Sequence, residues 1–189
     1  MKRGKSALIR AGTTALAVML TLSLLGVSAV AYNNSDNMPC WWQNPPGTLQ
    51  VNFKWGSINT SGGWASDFQS AAGHWTNAGA AVGMAYNAGA AAEVHTYYSS
   101  SDNRGGYTSM WCNVFPWSTA DFDAFGNTYY ASDAGGFNAY RRFVATHELG
   151  HGLSLGHSSS SSALMYGPSY GGFYLPQTDD VNGLNAMYP

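Results

Sequence analysis

The chain is constrained most strongly by an eleven-residue stretch that runs from His147 to His157. Its first half reads H-E-x-x-H, and residues four apart lie on one face of an α-helix, so His147 and His151 can reach a single metal ion. Glu148 is turned about 100° around the helix axis, where its carboxylate can reach a water molecule on that metal but is poorly placed to be a ligand. His157 can join the same ion only if the helix ends near Leu153 or Ser154 and the chain then turns sharply back. Three imidazoles with one open position form the ligand set of a catalytic zinc site rather than of a closed structural one.

The whole stretch resembles the metzincin signature H-E-x-x-H-x-x-G-x-x-H, with Ser154 at the position where that family has glycine. A glycine there lets the chain leave the helix at positive φ. Serine can adopt the same conformation at a cost of about 1 kcal/mol. Alternatively, Ser154 stays helical and the bend moves on to Gly156.

Further motifs are similar to the matrixin branch of the metzincins. A run of serines after His157 leads to the sequence A-L-M-Y at residues 163–166, as in matrixins. Residues 175–188 are similar to the last helix of matrixin catalytic domains. The close resemblance covers residues 140–189, and upstream it is one of layout only.

The resemblance implies an α+β, zincin-like catalytic domain. Its parts are a twisted mixed sheet, an N-terminal helix, an active-site helix, a methionine turn and a C-terminal helix. It also implies a structural role for Met165 as the floor of the metal site. In matrixins a P-x-Y segment after this turn lines the pocket for the substrate residue that follows the cleaved bond. Pro168 and Tyr170 match that segment, with Gly167 inserted before them.

Together these features predict a secreted zinc-dependent endopeptidase, similar to bacterial matrixin-like proteases, that cleaves proteins or peptides and is a monomer. One zinc ion is held by His147, His151 and His157, and Glu148 is the general base. Two alternatives remain open. A catalytically inactive zinc-binding or adhesive protein would not need Glu148, and a snapalysin-like small neutral protease would have aspartate in place of His157.

Residues 1–31 have the pattern of a signal peptide. A basic beginning is followed by an apolar run from Ala15 to Val27 and by the small-residue cleavage site Ala29–Ala31, so we expect the mature chain to start at Tyr32. An uncleaved membrane anchor is the competing interpretation, but the apolar run is short for one. Cleavage would remove four of the eight basic residues and none of the ten acidic ones, which leaves a net charge of −6. This charge does not favour binding to nucleic acid or to an anionic membrane.

The two cysteines, Cys40 and Cys112, both follow the signal peptide. In an oxidising compartment the default expectation is one disulfide between them. Many matrixins are instead kept latent by a propeptide cysteine that binds the zinc. Segment 32–44 is only thirteen residues long and lacks the arginine and glycine that flank the latency cysteine, so the disulfide is favoured.

Residues 45–189 form a single catalytic domain in this interpretation. Alternating and helical apolar patterns predict, in order, a strand at 49–55, a helix at 64–75 and strands at 82–86, 94–98 and 107–114. These precede the active-site helix, which Asn138 caps. The layout is α+β, and all sheet elements are expected in the first half of the chain.

The remaining metal-binding residue types carry weaker signals. His74 is expected to be an ordinary surface or boundary histidine, because no carboxylate or second histidine flanks it, and His95 is expected to be a half-exposed strand histidine. Asp121, Asp123 and Asp133 are placed in a loop region, where they could hold Ca²⁺, but turn and capping roles are the favoured interpretation. Animal matrixins carry a second, structural zinc held by an H-x-D pattern and later histidines. This chain has five histidines and nothing of that spacing, so a single zinc is expected.

Overall fold

The structure is a computed structural model that describes residues 41–43, 47–114, 117–167 and 170–189. The predicted signal peptide, Cys40 and Pro168 lie outside these residues, so the predicted boundaries at the N-terminus and the disulfide remain predictions. No helix in the described part of the chain is long and apolar enough to cross a membrane.

Within the described residues, five strands form one sheet. In chain order they are β1 (Leu49–Trp55), β2 (Val82–Tyr86), β3 (Glu93–Tyr97), β4 (Gly106–Val114) and β5 (Trp117–Asn127). Their spatial order is β2-β1-β3-β5-β4. The only antiparallel pair is β4 with β5, and the other three pairs are parallel. The predicted mixed sheet is confirmed, and β4 lies at its edge.

Strand β5 was not predicted from the sequence, and the expectation that all sheet elements lie in the first half of the chain is wrong. Phe122 and Ala124 on β5 are fully buried, whereas Asp121 and Asp123 alternate with them on the other face of the strand. The two aspartates therefore belong to a strand and not to the expected loop. The buried face of β5 carries small residues such as Ala124 beside Phe122. The alternation of apolar and polar residues is therefore difficult to recognise in the sequence.

In the described part of the chain, three helices complete the fold: α1 (Gly63–Thr76), α2 (Ala139–Gly152) and α3 (Thr178–Met187). The helix predicted at 64–75 corresponds to α1, whose aromatic residues Trp64, Phe68 and Trp75 are fully buried in the core. Trp75 also donates its indole N–H to the carbonyl of Thr146 on α2 at 2.8 Å. This bond fixes α1 against the part of α2 that carries the first histidine.

The loop between β5 and α2 is held by a buried guanidinium. Arg141 is 2% exposed, and its Nε donates to the carboxylate of Asp67 on α1 at 2.6 Å. Its remaining N–H groups donate to three carbonyls of the loop, those of Ser132, Ala134 and Gly136. Asn138 caps α2 as predicted, because its side chain accepts the N–H of Arg141. The start of the active-site helix is therefore fixed by both side chains and main chain.

Candidate metal centre

Three histidines converge at the C-terminal half of α2. His147 and His151 lie one turn apart on the helix, with ring centroids 4.8 Å apart. His157 comes from the segment after the helix, and its ring centroid lies 5.2 Å from that of His147 and 4.8 Å from that of His151. The three candidate ligand atoms all lie within 4.8 Å of one another. Imidazoles in this arrangement could hold one metal ion.

Main-chain carbonyls set the tautomers of the two helical histidines. Nδ1 of His147 lies 2.9 Å from the oxygen of Leu164, and Nδ1 of His151 lies 2.7 Å from that of Leu155. A carbonyl oxygen can only accept, so each Nδ1 carries a proton and each Nε2 keeps a free lone pair. Burial lowers the pKa of His147 to about 4 and holds the pKa of His151 well below its usual value. Both rings are therefore neutral near pH 7, which is the state that a metal ion requires.

The bend that delivers His157 lies at Ser154. The helix ends at Gly152, and Ser154 has a φ of 70°, the one positive φ among the non-glycine residues that the structure describes. Gly156 does not take this conformation, so the alternative bend at Gly156 is wrong. The serine hydroxyl lies 3.1 Å from that of Thr119 on β5.

Two distant aromatic residues satisfy carbonyls at the end of α2. The indole N–H of Trp42 donates to the carbonyl of Gly152 at 2.8 Å. The hydroxyl of Tyr188 donates to the carbonyl of Leu153 at 3.0 Å. The last carbonyls of a helix lack partners within it, so these bonds stabilise the terminus from which the bend starts. The sequence analysis assigned no role to either side chain.

Glu148 lies beside the histidines and is 6% exposed. Its Oε2 is 2.8 Å from the hydroxyl of Thr108 on β4. Burial raises the pKa of the Glu148 carboxyl to about 8, and the hydrogen bond from Thr108 acts in the opposite direction. Thr108 was missed from the sequence, because a single threonine in a predicted strand carries no motif.

Met165 lies fully buried beneath the active-site helix. A Cβ at Gly150 would collide with the sulfur of Met165, so the absence of a side chain at Gly150 permits this close approach. The turn itself is held by Asp180 of α3, whose carboxylate accepts the N–H groups of Leu164 at 2.8 Å and of Met165 at 3.0 Å. Asp180 was predicted only as a favourable charge at the start of α3.

A cleft of about 570 Å³ opens onto the three histidines and Glu148. Residues of the edge strand β4, Thr108 among them, line this cleft, and so does Tyr170. The ring of Tyr170 packs 4.8 Å from that of Phe143 and 5.8 Å from that of Tyr140. Tyr170 therefore lines the cleft together with these two aromatic residues. Pro168, its predicted neighbour, lies outside the described residues.

The other two histidines lie away from this centre. Nδ1 of His74 on α1 lies 3.3 Å from the hydroxyl of Thr146, and the ring is partly buried. His95 on β3 accepts the main-chain N–H of Ser57 through Nδ1 at 2.9 Å and stacks on Phe125. His95 is thus more enclosed than the sequence suggested, with 14% of its side chain exposed.

The three aspartates considered for calcium do not share one loop. Asp133 accepts the N–H of Trp64 at 3.0 Å, so it caps the first turn of α1, as the favoured interpretation expects. Asp121 and Asp123 lie on β5, where Asp121 accepts the N–H of Phe122. Within the described residues, the one His, Cys, Asp and Glu group with metal-binding spacing is the histidine group.

Comparison with known proteins agrees with this geometry. The model of the matrixin family matches residues 112–189. Human matrix metalloproteinase-20 is 52% identical over 58 residues, which are 28% of this chain and 11% of that protein. Human matrilysin is 49% identical over 51 residues, which are 24% of this chain and 18% of that protein.

Bovine interstitial collagenase matches a longer segment, with 44% identity over 72 residues, which are 36% of this chain and 14% of the collagenase. The chain therefore spans less than a fifth of the length of each of these three relatives. The matched family region contains Glu148, the three histidines and Met165. Residues 112–189 are therefore similar to the matrixin family, and the mixed sheet and three helices of the described residues are consistent with a matrixin-like catalytic domain.

Proposed function

We propose that this chain is a secreted zinc-dependent endopeptidase. The observation that carries the proposal is the position of the Glu148 carboxyl beside three converging imidazoles at an open cleft. His147, His151 and His157 would hold the zinc ion. The donor set fits zinc, because the lone pairs of neutral imidazoles are preferred zinc ligands and three protein ligands leave a position for reactants.

The chemistry divides between the metal and one side chain. A zinc ion in such a site lowers the pKa of a water molecule from 15.7 to about 7 and polarises a substrate carbonyl. Glu148 would accept the proton of the water that attacks the carbonyl carbon, and would then donate this proton to the nitrogen of the leaving amine. Burial suits a carboxyl to this exchange, because poor hydration weakens its preference for the charged form.

The histidine supports and the turn keep these groups in place. The carbonyls of Leu164 and Leu155 orient two of the rings, which is the usual role of hydrogen bonds behind metal ligands. Met165 would be the structural floor of the site and would take no chemical part. Tyr170, with Pro168, would line the pocket for the substrate residue that follows the cleaved bond.

The cellular setting is part of the proposal. A signal peptide at residues 1–31 would direct the chain out of the cell, where Cys40 and Cys112 would form a disulfide. The described part of the chain contains no free cysteine, which supports this pairing. The substrate would be a protein or peptide, and the enzyme would act as a monomer without nucleic-acid or membrane partners.

The test compares the mature protein with the variant Glu148→Gln, using metal analysis and cleavage of a mixed peptide library with and without a chelator. Glu148→Gln is expected to keep one zinc per chain and to lose most of the hydrolysis. Glu93→Gln is the matched control, because Glu93 pairs with Lys54 on the sheet, away from the cleft. A parent that binds zinc but cleaves nothing would be an inactive zinc-binding protein. A Glu148→Gln variant as fast as the parent would exclude Glu148 as the base.

A further inference from the structure

The hydroxyl of Thr108 makes two close contacts with one residue of the active-site helix. Its Oγ1 lies 2.8 Å from Oε2 of Glu148 and 2.9 Å from the main-chain oxygen of Glu148. Thr108 belongs to the edge strand β4, and it lines the cleft. We propose that Thr108 is a positioning residue that fixes the Glu148 carboxylate for proton transfer. This inference rests on the proposed function.

The strand is shaped to bring this hydroxyl close to α2. Gly106 and Thr108 are two residues apart on β4, so they face the same side of the sheet. A Cβ at Gly106 would lie 3.0 Å from Cγ of Glu148 and 2.7 Å from Cγ1 of Val144, a spacing that real side chains rarely reach. The missing side chain at Gly106 thus lets the strand approach the stem of Glu148. The hydroxyl of Thr108 then contacts the carboxylate of the same side chain.

The hydroxyl has one proton, which it can donate to only one of its two acceptors at a time. An ionised carboxylate is a stronger acceptor than a neutral main-chain carbonyl. When Glu148 is charged, Thr108 therefore donates to Oε2. Within the described residues, Thr108 is the one side chain that donates to this carboxylate.

This bond has a consequence for the base. The final torsion of a glutamate side chain is broad, so an unrestrained carboxylate samples many orientations. A hydrogen bond at Oε2 removes this freedom and leaves Oε1 to accept the proton of the attacking water. Misorientation of a catalytic group by a small amount is costly, because proton transfer needs a hydrogen-bond geometry between donor and base. Thr108 therefore acts through Glu148 and does not itself touch the substrate's reacting atoms.

The test uses the zinc-loaded mature protein and the variants Thr108→Val and Thr108→Ser. Valine keeps the branched shape and removes the hydroxyl, whereas serine keeps the hydroxyl. Thr108→Val is expected to lower kcat roughly 10- to 100-fold, the range for loss of a hydrogen bond to a charged group, with KM and zinc content close to those of the parent. Thr108→Ser is expected to restore most of kcat. If valine disturbs folding, Thr108→Ala takes its place with the same expected fall in kcat.

A double variant separates positioning from a merely structural effect. If Thr108 acts through Glu148, Thr108→Val will not lower the residual rate of Glu148→Gln any further. An unchanged kcat in Thr108→Val, or an equal fall on both backgrounds, would overturn the inference and leave the proposed function intact. A parent that cleaves no peptide, or that is matched by Glu148→Gln, would instead overturn the proposed function and this inference with it.

Discussion

The hydroxyl of Ser154 lies 3.1 Å from the hydroxyl of Thr119, and both side chains are buried where the chain leaves the active-site helix. Ser154 has the backbone conformation that metzincins reach with glycine, at a φ of 70°. A residue with a Cβ pays about 1 kcal/mol for that conformation. A buried hydroxyl–hydroxyl bond contributes about 0.5–1.5 kcal/mol, so it offsets this cost. The departure from the signature is therefore compensated by a residue on β5.

This balance predicts different stabilities for two small substitutions at Ser154. Ser154→Gly relieves the strain and loses the hydrogen bond, so its free energy of unfolding should lie within about 1 kcal/mol of the parent's. Ser154→Ala keeps the strain and loses the bond, so it should be less stable by about 1 kcal/mol. Denaturant unfolding of the zinc-loaded protein measures both values. An alanine variant as stable as the parent would mean that the bond to Thr119 contributes nothing.

Removal of His157 should weaken zinc binding by at least about tenfold, because one of three protein ligands is lost. His95→Ala is the matched control, since His95 lies on β3 and stacks on Phe125. Zinc affinity is measured by competition with a chromophoric chelator at fixed pH. An affinity of His157→Ala equal to that of the control would leave only His147 and His151 as ligands and would contradict the matrixin-like site.

Asp180 should contribute more to the stability of the fold than its neighbour Asp179. Its carboxylate accepts three main-chain N–H groups, those of Leu164, Met165 and Gln177. In Asp180→Asn, an amide NH₂ group would face one or more of these donors, so the loss of stability should be about 2–3 kcal/mol. Asp179→Asn is the control, because Asp179 is only partly buried and accepts the hydroxyl of Ser158. Thermal unfolding should show the larger fall in Tm for Asp180→Asn.

His74 should make the fold less stable in mild acid. Burial, followed by the positive charge of Arg142, lowers the pKa of His74 below its usual value of 6.5. Below pH 6.5 the unfolded chain therefore binds a proton that the folded protein takes up only at lower pH, so the free energy of unfolding falls as the pH drops through this window. His74→Gln removes this group. The stability of the variant relative to the parent should therefore improve between pH 7 and pH 5, as followed by denaturant unfolding at each pH. A constant difference across this range would exclude the effect.

The site residues that could be predicted from the sequence are those that lie close together along the chain. His147 and His151 are one helical turn apart, and His157 follows within the same eleven-residue stretch, so the sequence alone places them together. Thr108 and Glu148 are 40 positions apart and meet only because β4 is the edge strand beside α2. No local pattern contains that information.

A similar limit applies to β5 and to Asp180. From the sequence, Asp121 and Asp123 are typical of a polar loop. In the structure they lie on the outer face of the sheet, on β5. The sequence predicts Asp180 as an acid at the start of a helix, which it is, but two of its three bonds reach Leu164 and Met165 in a turn 16 and 15 residues earlier. Long-range pairing of polar groups depends on the packing of the finished fold, which the chain order does not specify.

The last prediction concerns the size of the substrate pocket and rests on the proposed function. Phe143 on α2 packs against Tyr170, with ring centroids 4.8 Å apart, and its ring lies 5.3 Å from that of His147. Because Phe143 packs on Tyr170 and also lies beside His147, a proposed zinc ligand, the pocket should be shallow. The parent should therefore prefer small or medium residues after the cleaved bond. Phe143→Leu shortens one wall while keeping the position apolar. Its ratio of kcat/KM for a large residue over alanine should rise roughly tenfold, since added methylenes in a pocket contribute about 1–3 kcal/mol.

Tyr170→Phe is the matched control for the pocket, because it keeps the ring and removes only a hydroxyl. Its preference should stay close to that of the parent. Both variants are tested on one series of peptides that differ only in the residue after the cut, with zinc content checked in each. An unchanged preference in Phe143→Leu would mean that Phe143 does not bound the pocket, and the wall would then have to be sought among the other residues that border the cleft.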